Sequence, residues 1–375
     1  MWIRDGKIVE PEQDSEVVKV IDCGGAIVAP GFIDLQINGG FGVDFTSDII
    51  DAETCKDALD KVGVGILAHG VTSYCPTIVT SPPEVFHRTL TNIKRRKGGK
   101  DGAEVLGVHV EGPFISEDKK GAHAQQHLKV PIQGMEDVKT VYGPGLENVS
   151  IVTIAPELER SGEVIEELTR RGIQVSIGHS AAGFEDGKSA VQKGARLVTH
   201  LFNGMSGFHH RDPGLLGLFL SDDLARSKPW FGIIADGVHT HPLAVKLAYK
   251  VNFSSLILVT DAICAMGFKD GRYRSGQQDM EVKGDCARVV GTDILIGSVV
   301  TMHRSVLKMI EFTGCSIVEA VEAASLHPAA ALGIAERKGT LEIGSDADFV
   351  ILNSGDLKVL STWIGGEKVF DVNVA

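Results

Sequence analysis

Two histidines stand at matching positions of two consecutive apolar segments. His179 ends the run Gly-Ile-Gln-Val-Ser-Ile-Gly-His, and His200 ends the run Ala-Arg-Leu-Val-Thr-His. Short apolar runs that contain β-branched residues and follow glycine are typical of buried parallel strands. Because parallel neighbours present their carboxyl ends on one side of a sheet, we expect both imidazoles to emerge together. One such histidine is more often structural than metal-binding, but a matched pair favours a divalent metal such as zinc.

Glu111 and Asp261 extend this pattern, because each also ends an apolar run. With Glu111 as a third ligand, a zinc ion keeps one open position for water, whose pKa it lowers towards about 7. Asp261 is then placed to accept a proton from that water and to pass it to a leaving group. Capping a following helix is the alternative role for Asp261, and a three-ligand metal site favours the role of general base.

Two loops add candidates for substrate contacts. His123 lies in the polar and basic loop at residues 112–131, where it either polarises a carbonyl group or is solvated. The loop after His200 carries Arg211, whose guanidinium suits an anion. His209 and His210 precede Arg211, and we do not expect them to bind a metal, because adjacent residues of an extended chain point to opposite faces.

These residues need a scaffold that gathers strand ends, and the middle of the chain alternates apolar strands with helical segments. The predicted strands are residues 31–38, 70–78, 104–111, 149–156, 172–179, 196–200, 230–236 and 256–261. The predicted helices include residues 52–69, 83–97, 163–171, 183–193 and 242–250, the second ending in the basic run 94–97. This alternation predicts an α/β fold, a (β/α)8 TIM-type barrel with its active site at the carboxyl ends of the strands. A doubly wound sheet is disfavoured because no glycine-rich phosphate loop follows the first strand.

Both chain ends are rich in short strand patterns. Residues 2–9, with Asp5-Gly6 as a tight turn, and residues 17–28 predict strands near the start. Residues 348–352, 359–363 and 368–370 have the same character. We therefore expect a small β-sandwich domain formed by residues 1–29 and 338–375, and a metal-dependent hydrolase barrel formed by residues 30–337.

Composition limits the partners of the protein. The 375 residues carry a formal net charge of −12, which argues against nucleic acid or an anionic membrane surface as a partner. No run reaches about 18 apolar residues, and the first residues do not resemble a signal peptide. The six cysteines are scattered without a Cys-x-x-Cys pair, which is typical of reduced thiols, so a cytoplasmic location is expected.

Several motifs together resemble the amidohydrolase superfamily. Pro30-Gly-Phe-Ile-Asp leads into the first barrel strand, and Lys338-Gly-Thr-Leu-Glu-Ile-Gly-Ser-Asp-Ala-Asp follows the barrel. Further motifs are similar to those of the deacetylases of amino-sugar phosphates within that superfamily: His109-Val-Glu-Gly-Pro-Phe-Ile, Lys120-Gly-Ala-His, Gly178-His-Ser, Thr199-His-Leu-Phe-Asn, Arg211-Asp-Pro-Gly, Ala235-Asp-Gly-Val-His and Val259-Thr-Asp-Ala. The resemblance covers nearly the whole chain.

The resemblance implies one divalent metal per subunit, held by Glu111 and the two histidines. Most relatives have His-x-His where this chain has Gln36-Ile-Asn38, so these two side chains are expected beside the site and not on a second metal. Many relatives also use a carboxylated lysine after the fourth strand, where this chain has Ala-Pro-Glu at residues 155–157. Zinc is the expected metal, although iron, cobalt or manganese suits the same donors.

The resemblance also implies roles for the remaining candidates. Asp261 becomes the proton shuttle, His123 and His239 contact the acetamide and the sugar, and Arg211 contacts the phosphate from its own subunit or from its neighbour in a homodimer. The implied substrate contacts are Ala122, Asn203, Gly204, Arg211, Asp236, Gly237, Val238, His239, Leu295, Ile296 and Gly297. Ile296 replaces a small residue of the family, which matters only if that contact is not through the backbone.

The implied reaction is hydrolysis of N-acetylglucosamine 6-phosphate to glucosamine 6-phosphate and acetate by a metal-activated water, a step of amino-sugar metabolism. The nearest alternative is another amidase of the superfamily, acting on a non-phosphorylated cyclic amide or dipeptide. The absence of His-x-His and of the lysine speaks against it. A barrel that only binds or scaffolds is a second alternative, disfavoured because all three ligands and Asp261 are present.

Overall fold

A computed structural model of the chain describes residues 1–11, 19–225, 227–275, 278–292 and 295–373. The strands in chain order are β1 (Trp2–Arg4), β2 (Lys7–Val9), β3 (Ile27–Pro30), β4 (Phe32–Ile37), β5 (Gly39–Gly40), β6 (Val43–Asp44), β7 (Val71–Val79), β8 (Glu104–Val105), β9 (Val108–Glu111), β10 (Val149–Ile154), β11 (Gln174–Ile177), β12 (Leu197–Val198), β13 (Trp230–Ile233), β14 (Leu256–Leu258), β15 (Gly271–Ser275), β16 (Gln278–Lys283), β17 (Cys286–Val289), β18 (Leu295–Ser298), β19 (Phe349–Leu352), β20 (Val359–Ile364) and β21 (Glu367–Asp371). The helices are α1 (Ala52–Leu67), α2 (Pro83–Asn92), α3 (Met135–Tyr142), α4 (Ser161–Arg170), α5 (Phe184–Gln192), α6 (Pro242–Asn252), α7 (Met302–Thr313), α8 (Ile317–Ala324) and α9 (Leu326–Ala331).

Eight parallel strands form the barrel in the order β4-β7-β9-β10-β11-β12-β13-β14, with β8 beside β7. Every residue of β4, β9, β10 and β14 is buried, as expected for strands covered on both faces. The first and last strands meet through backbone bonds, because the Asp261 N–H donates to the Gln36 carbonyl at 2.8 Å and the Asn38 N–H donates to the Ala262 carbonyl at 2.8 Å. The predicted (β/α)8 barrel is confirmed.

The helices cover the barrel because each presents an apolar face to the strands. Helix α1 begins after Asp51, whose side chain accepts a hydrogen bond from the Thr54 N–H in a capping box. In α4, Val164, Ile165 and Leu168 are buried at helical spacing, while the opposite face of the helix exposes charged side chains. No helix in the described ranges is both long and apolar enough to span a membrane.

The chain ends form a separate antiparallel sheet in the order β21-β20-β19-β3, which confirms that both termini build one β unit. Strands β1 and β2 pair around Asp5 and Gly6, whose φ values of 50° and 76° suit a tight hairpin turn. The strand expected at residues 17–28 is wrong over residues 19–26. Gly24 and Gly25 adopt left-handed backbones there and form a turn, so β3 begins only at Ile27, and residues 12–18 lie outside the described ranges.

The helix expected at residues 83–97 is wrong in its last turn, because α2 ends at Asn92. The basic run that follows makes tertiary contacts instead of capping a helix. The Arg95 guanidinium donates to the carbonyl oxygens of Leu106 at 3.1 Å and Glu147 at 2.8 Å, and the Arg96 backbone pairs with that of Val105. These contacts tie the run to the strand-start end of the barrel.

The sequence patterns did not indicate the antiparallel sheet β15-β16-β17-β18, which follows the last barrel strand. Its final strand joins the barrel, because the Ile263 N–H donates to the Ser298 carbonyl at 2.9 Å. Helices α7, α8 and α9 were also not predicted. The expected strand at residues 104–111 is two strands, β8 and β9, because Gly107 interrupts it with a φ of 112°.

Candidate metal centre and active site

The four residues predicted to do chemistry lie at or just beyond strand ends on one side of the barrel. Glu111 is the last residue of β9, whereas His179, His200 and Asp261 follow the ends of β11, β12 and β14. These last three have left-handed backbones, with φ values of 46°, 28° and 46°. Such conformations cost about 1–3 kcal/mol each and persist only where the surrounding structure holds them. Their clustering marks this rim as a functional site.

The structure brings three of these side chains into one buried cluster. Glu111 Oε1 lies 3.2 Å from His179 Nε2 and 3.0 Å from His200 Nε2. The two imidazole Nε2 atoms lie 3.1 Å apart. A carboxylate oxygen and two imidazole nitrogens are the donors that suit a divalent transition metal, and zinc in particular.

The protonation of His179 shows why a cation fits between these atoms. His179 Nδ1 lies 2.9 Å from the Lys119 carbonyl oxygen, which can only accept, so Nδ1 carries the proton. In the neutral ring, the Nε2 lone pair then faces the Glu111 carboxylate, and two acceptors meet without a donor. A cation among these atoms removes that conflict. This backbone partner of Nδ1 is typical of metal-binding histidines.

The electrostatics of the cluster also favour positive charge. Burial alone would raise the pKa of Glu111, but its contacts with His179 and His200 hold that pKa well below the ordinary value. Burial alone would lower the pKa of His200, but its contact with Glu111 raises that pKa to about 9. The pocket therefore stabilises a carboxylate and attracts a cation beside it.

Asp261 is linked to this cluster through two amide side chains. Asn38 Nδ2 donates to Asp261 Oδ1 at 2.7 Å. Gln36 Nε2 donates both to Asp261 Oδ1 at 3.2 Å and to Glu111 Oε1 at 2.9 Å. Burial first, and the charge of Glu111 second, raise the pKa of Asp261 to about 6. Gln36 and Asn38 thus contact and orient the two carboxylates of this cluster.

His123 lies against the cluster and is not a solvated loop residue, because its side chain is only 7% exposed. Its Nδ1 lies 2.8 Å from the Thr80 hydroxyl and accepts from the Thr80 N–H at 3.4 Å, so Nε2 carries the proton of the neutral ring. Nε2 lies 4.0 Å from Glu111 Oε2. Burial, followed by the neighbouring His179, lowers the pKa of His123 to about 3, so the ring is a neutral donor. No pattern in the sequence indicates Thr80 as its partner.

The predicted substrate contacts from the loop after β13 surround a second histidine. Asp236 is buried and accepts from the backbone N–H groups of Val238 at 2.8 Å and His239 at 2.7 Å. The other Asp236 oxygen binds His239 Nδ1 at 2.6 Å. With both of its oxygens engaged, Asp236 holds the His239 ring in place through Nδ1. Gly237 supports the turn with a φ of 77°.

The other predicted contacts differ in how close they lie to the cluster. A side chain at Gly204 would collide with the His179 ring, because a Cβ atom there would lie 2.8 Å from Nδ1. Asn203 is half-buried and donates to the Thr240 hydroxyl at 3.4 Å. Ala122 is exposed on the loop beside His123, and Arg211, His209 and His210 are exposed on the loop after His200. Leu295, Ile296 and Gly297 are half-buried in β18.

Comparisons with known proteins agree with this fold. The amidohydrolase family profile matches residues 27–369, so the chain belongs to the amidohydrolase family. Within that family it is similar to the N-acetylglucosamine-6-phosphate deacetylase of Bos taurus, at 50% identity over 382 residues that cover 100% of this chain and 92% of the relative.

Solved structures show the same likeness. The chain superposes on the N-acetyl-D-glucosamine-6-phosphate deacetylase of Mycobacterium smegmatis with a TM-score of 0.84 and 30% identity, covering 98% of this chain and 94% of that one. A variant of that enzyme, in complex with N-acetyl-D-glucosamine-6-phosphate, matches with a TM-score of 0.79 and 31% identity over 92% of this chain and 87% of that one. The chain is therefore a hydrolase of carbon–nitrogen amide bonds.

Proposed function

We propose that the chain hydrolyses N-acetylglucosamine 6-phosphate to glucosamine 6-phosphate and acetate. The observation that carries this proposal is the buried cluster in which Glu111 meets two imidazoles, while Gln36 links it to Asp261. The similar enzymes are deacetylases of this sugar phosphate, and one of them has been solved with it bound. The sequence of this chain also contains all four of the residues that we expect to perform the chemistry.

Glu111, His179 and His200 would hold one divalent metal, and zinc is the ion that we propose. Bound there, zinc supplies a Lewis acid that polarises a carbonyl group and makes water acidic near neutral pH. Gln36 Nε2 donates to Glu111 Oε1 at 2.9 Å, and His179 Nδ1 donates to the Lys119 carbonyl oxygen at 2.9 Å. These contacts orient the donors before a metal binds.

Asp261 and His123 would act on the substrate itself. Asn38 and Gln36 hold Asp261 Oδ1, which leaves Oδ2 to take the proton of the attacking water. The water oxygen bonds to the acetamide carbon, the carbon–nitrogen bond breaks, and Asp261 returns the proton to the departing amine. The His123 Nε2–H donates to the acetamide oxygen and stabilises the negative charge that develops on it.

Four finer statements belong to the same proposal. Arg211 binds the phosphate, and its exposure on a loop lets it reach a neighbouring subunit, so we propose a homodimer. We propose a cytoplasmic location on the basis of the scattered cysteines. We propose that the chain divides into a β domain of residues 1–29 with 338–375 and a barrel of residues 30–337. The backbone turn at residues 236–239 and β18 would line the sugar.

Acetate release from N-acetylglucosamine 6-phosphate, compared with release from N-acetylglucosamine, tests this function. We expect rapid release from the phosphorylated sugar and slow release from the other, because only the phosphate accepts charge-assisted hydrogen bonds from the guanidinium of Arg211. Arg211→Ala should remove most of this preference. The matched control is Arg170→Ala, which changes a different exposed arginine, at the end of α4. This variant should leave the preference for the phosphorylated sugar unchanged.

Each outcome of this assay has a definite meaning. Equal rates on both sugars in the wild type would retain the deacetylase and remove the phosphate role of Arg211. No acetate from either sugar, in protein that contains a metal, would overturn the proposed substrate and return the chain to the other amidases of the family.

A further inference from the structure

Four buried polar side chains form a continuous hydrogen-bonded chain across the inside of the barrel, one layer below the candidate ligands. His109 Nε2 lies 2.8 Å from the Thr153 hydroxyl, which lies 2.8 Å from the Thr199 hydroxyl. The Thr199 hydroxyl lies 2.5 Å from that of Ser176. All four side chains are at most 3% exposed. We call His109, Thr153, Thr199 and Ser176 the hydroxyl chain.

The hydroxyl chain has a single direction. His109 Nδ1 lies 3.0 Å from the Leu35 carbonyl oxygen and must donate to it, so His109 Nε2 accepts. The proton of Thr153 is therefore used on His109. The proton of Thr199 is then used on Thr153, and Ser176 donates to Thr199. Each hydroxyl donates its single proton to one partner, so the hydrogen bonds permit only one arrangement of these side chains. An apolar layer would permit several arrangements.

The hydroxyl chain joins the strands that bear the candidate ligands. His109 lies two residues before Glu111, and Thr199 directly precedes His200. Ser176 lies on β11, the strand that leads to His179. Thr153 belongs to β10, whose end bears none of the three ligands, and its hydroxyl spans the interior between His109 and Thr199. The four members thus fix the spacing of the strand ends above them.

His200 has particular need of such support. His179 is oriented by the bond from its Nδ1 to the Lys119 carbonyl, but the buried Nδ1 of His200 has no hydrogen-bond partner among the described residues. His200 also has a left-handed backbone, with a φ of 28°. Such a backbone persists where its neighbours determine it. The side chain of Thr199 is the nearest part of the hydroxyl chain to that strained residue.

We propose that the hydroxyl chain is a positioning device for the metal ligands, acting on His200 through Thr199 and on Glu111 through His109. The inference rests on the proposed ligand set. Removing one hydroxyl leaves a buried partner without its hydrogen bond, so the strands relax and the two donor atoms lose their fixed separation. Thr153, Ser176, Thr199 and His109 are positioning residues, because none of them would contact the metal or the substrate.

The test is the zinc affinity of metal-free protein, measured by competition with a chromophoric chelator. Thr199→Val keeps the shape of the side chain and removes the hydroxyl, and it should weaken zinc binding about 10-fold, at the lower end of the effect of outer partners of metal ligands. Thr199→Ser restores the hydroxyl and should restore the affinity. Thr89→Val is the matched control, because Thr89 is fully buried in α2 and bonds the Val85 carbonyl at 2.8 Å.

The unfolding free energies of the metal-free proteins separate positioning from stability. Thr199→Val and Thr89→Val should lose stability alike, but only Thr199→Val should lose zinc affinity. Equal zinc affinity in the wild type and Thr199→Val would overturn the positioning role and leave the ligand set intact. A wild type that binds no zinc would overturn both. If Thr199→Val fails to fold, Ser176→Ala, which removes only the terminal donor, replaces it and must weaken zinc binding while folding normally.

Discussion

The two ends of the barrel treat buried charge in opposite ways. At the end where the strands begin, three carboxylates meet three cations: Glu104, Asp346 and Asp348 with Lys7, Arg337 and Lys338. The Lys338 side chain is 2% exposed, and its ammonium group lies 2.8 Å from Glu104, 3.2 Å from Asp346 and against Asp348. This cluster is electrically balanced within the chain itself, so it needs no ligand.

At the end where the strands finish, two carboxylates have no such balance. Glu111 faces two imidazoles, and Asp261 faces the amides of Asn38 and Gln36. No lysine or arginine lies among these partners. One divalent cation held by Glu111 and the two imidazole nitrogens would match the charge of these two carboxylates. Buried charge that the chain itself neutralises is therefore structural, whereas buried charge without a lysine or arginine partner is prepared for a ligand.

We expect the largest effect from Asp261→Asn, which changes turnover at the end of the barrel where the strands finish. The amide keeps the size of the side chain and cannot take up a proton, so turnover should fall by about 10² to 10⁴-fold. Metal content and the melting temperature should remain those of the wild type, because Asp261 is not among the proposed ligands. Steady-state acetate release with metal analysis of the same sample measures both. Near-normal turnover would end the assignment of Asp261 as proton shuttle.

Lys338→Met tests the opposite end of the barrel. It removes the buried cation that contacts all three carboxylates and leaves Asp348 without its partner, so the unfolding free energy should fall by about 3–5 kcal/mol. Turnover per folded molecule should not change, because the network lies at the far end of the strands. Urea denaturation and an assay below the melting temperature measure the two effects. Lys358→Met, at an exposed ion pair, should leave the unfolding free energy nearly unchanged and serves as the control.

The pH dependence of the unfolding free energy is a smaller effect that also reports on the ion network at the end where the strands begin. Burial opposes the shifts, but the bond from Arg337 lowers the pKa of Glu104 and the bond from Lys7 lowers that of Asp346. Groups with depressed pKa values stabilise the fold above their ordinary pKa, and that contribution is lost as pH falls through the folded-state pKa. Wild-type stability should therefore decrease below about pH 4.

Lys338 also lowers the pKa of Glu104 and of Asp346, so in Lys338→Met these carboxylates keep only Arg337 and Lys7, and their neutral forms become more favourable. The difference in unfolding free energy between wild type and Lys338→Met should therefore shrink as pH falls from 7 to 4. Urea denaturation of both proteins at matched pH values measures this difference, and carboxylates elsewhere cancel in it. A gap that stays constant or widens on acidification would show that Lys338 does not neutralise these acids.

The sequence predicted the end of the barrel where the strands finish, because the positions of its residues follow from the local sequence. Glu111, His179, His200 and Asp261 each end an apolar run, and parallel strands bring such ends together. What could not be predicted depends on contacts between distant segments. The partner of His123 is Thr80, 43 residues earlier, and no periodicity signals that pair.

The end where the strands begin was harder to predict, because it depends on contacts between distant segments. The basic run at residues 94–97 has the composition of a helix end, yet Arg95 binds a carbonyl 52 residues away, at Glu147. Lys338, Asp346 and Asp348 appeared only as parts of a family motif, because an ion network is visible only once the fold brings Glu104 to them. At the opposite end, the left-handed backbones of His179 and His200 were also not predicted, because that conformation is uncommon for non-glycine residues even though histidine is enriched in it.

The most direct test of the account is the metal content of purified wild type, Glu111→Gln and Asp261→Asn after dialysis against metal-free buffer. We expect about one divalent metal per chain in the wild type and in Asp261→Asn, and none in Glu111→Gln, whose amide cannot replace the carboxylate charge. A wild type without metal, or a Glu111→Gln variant that retains it, would contradict the claim that the open charge at this end of the barrel is a metal site.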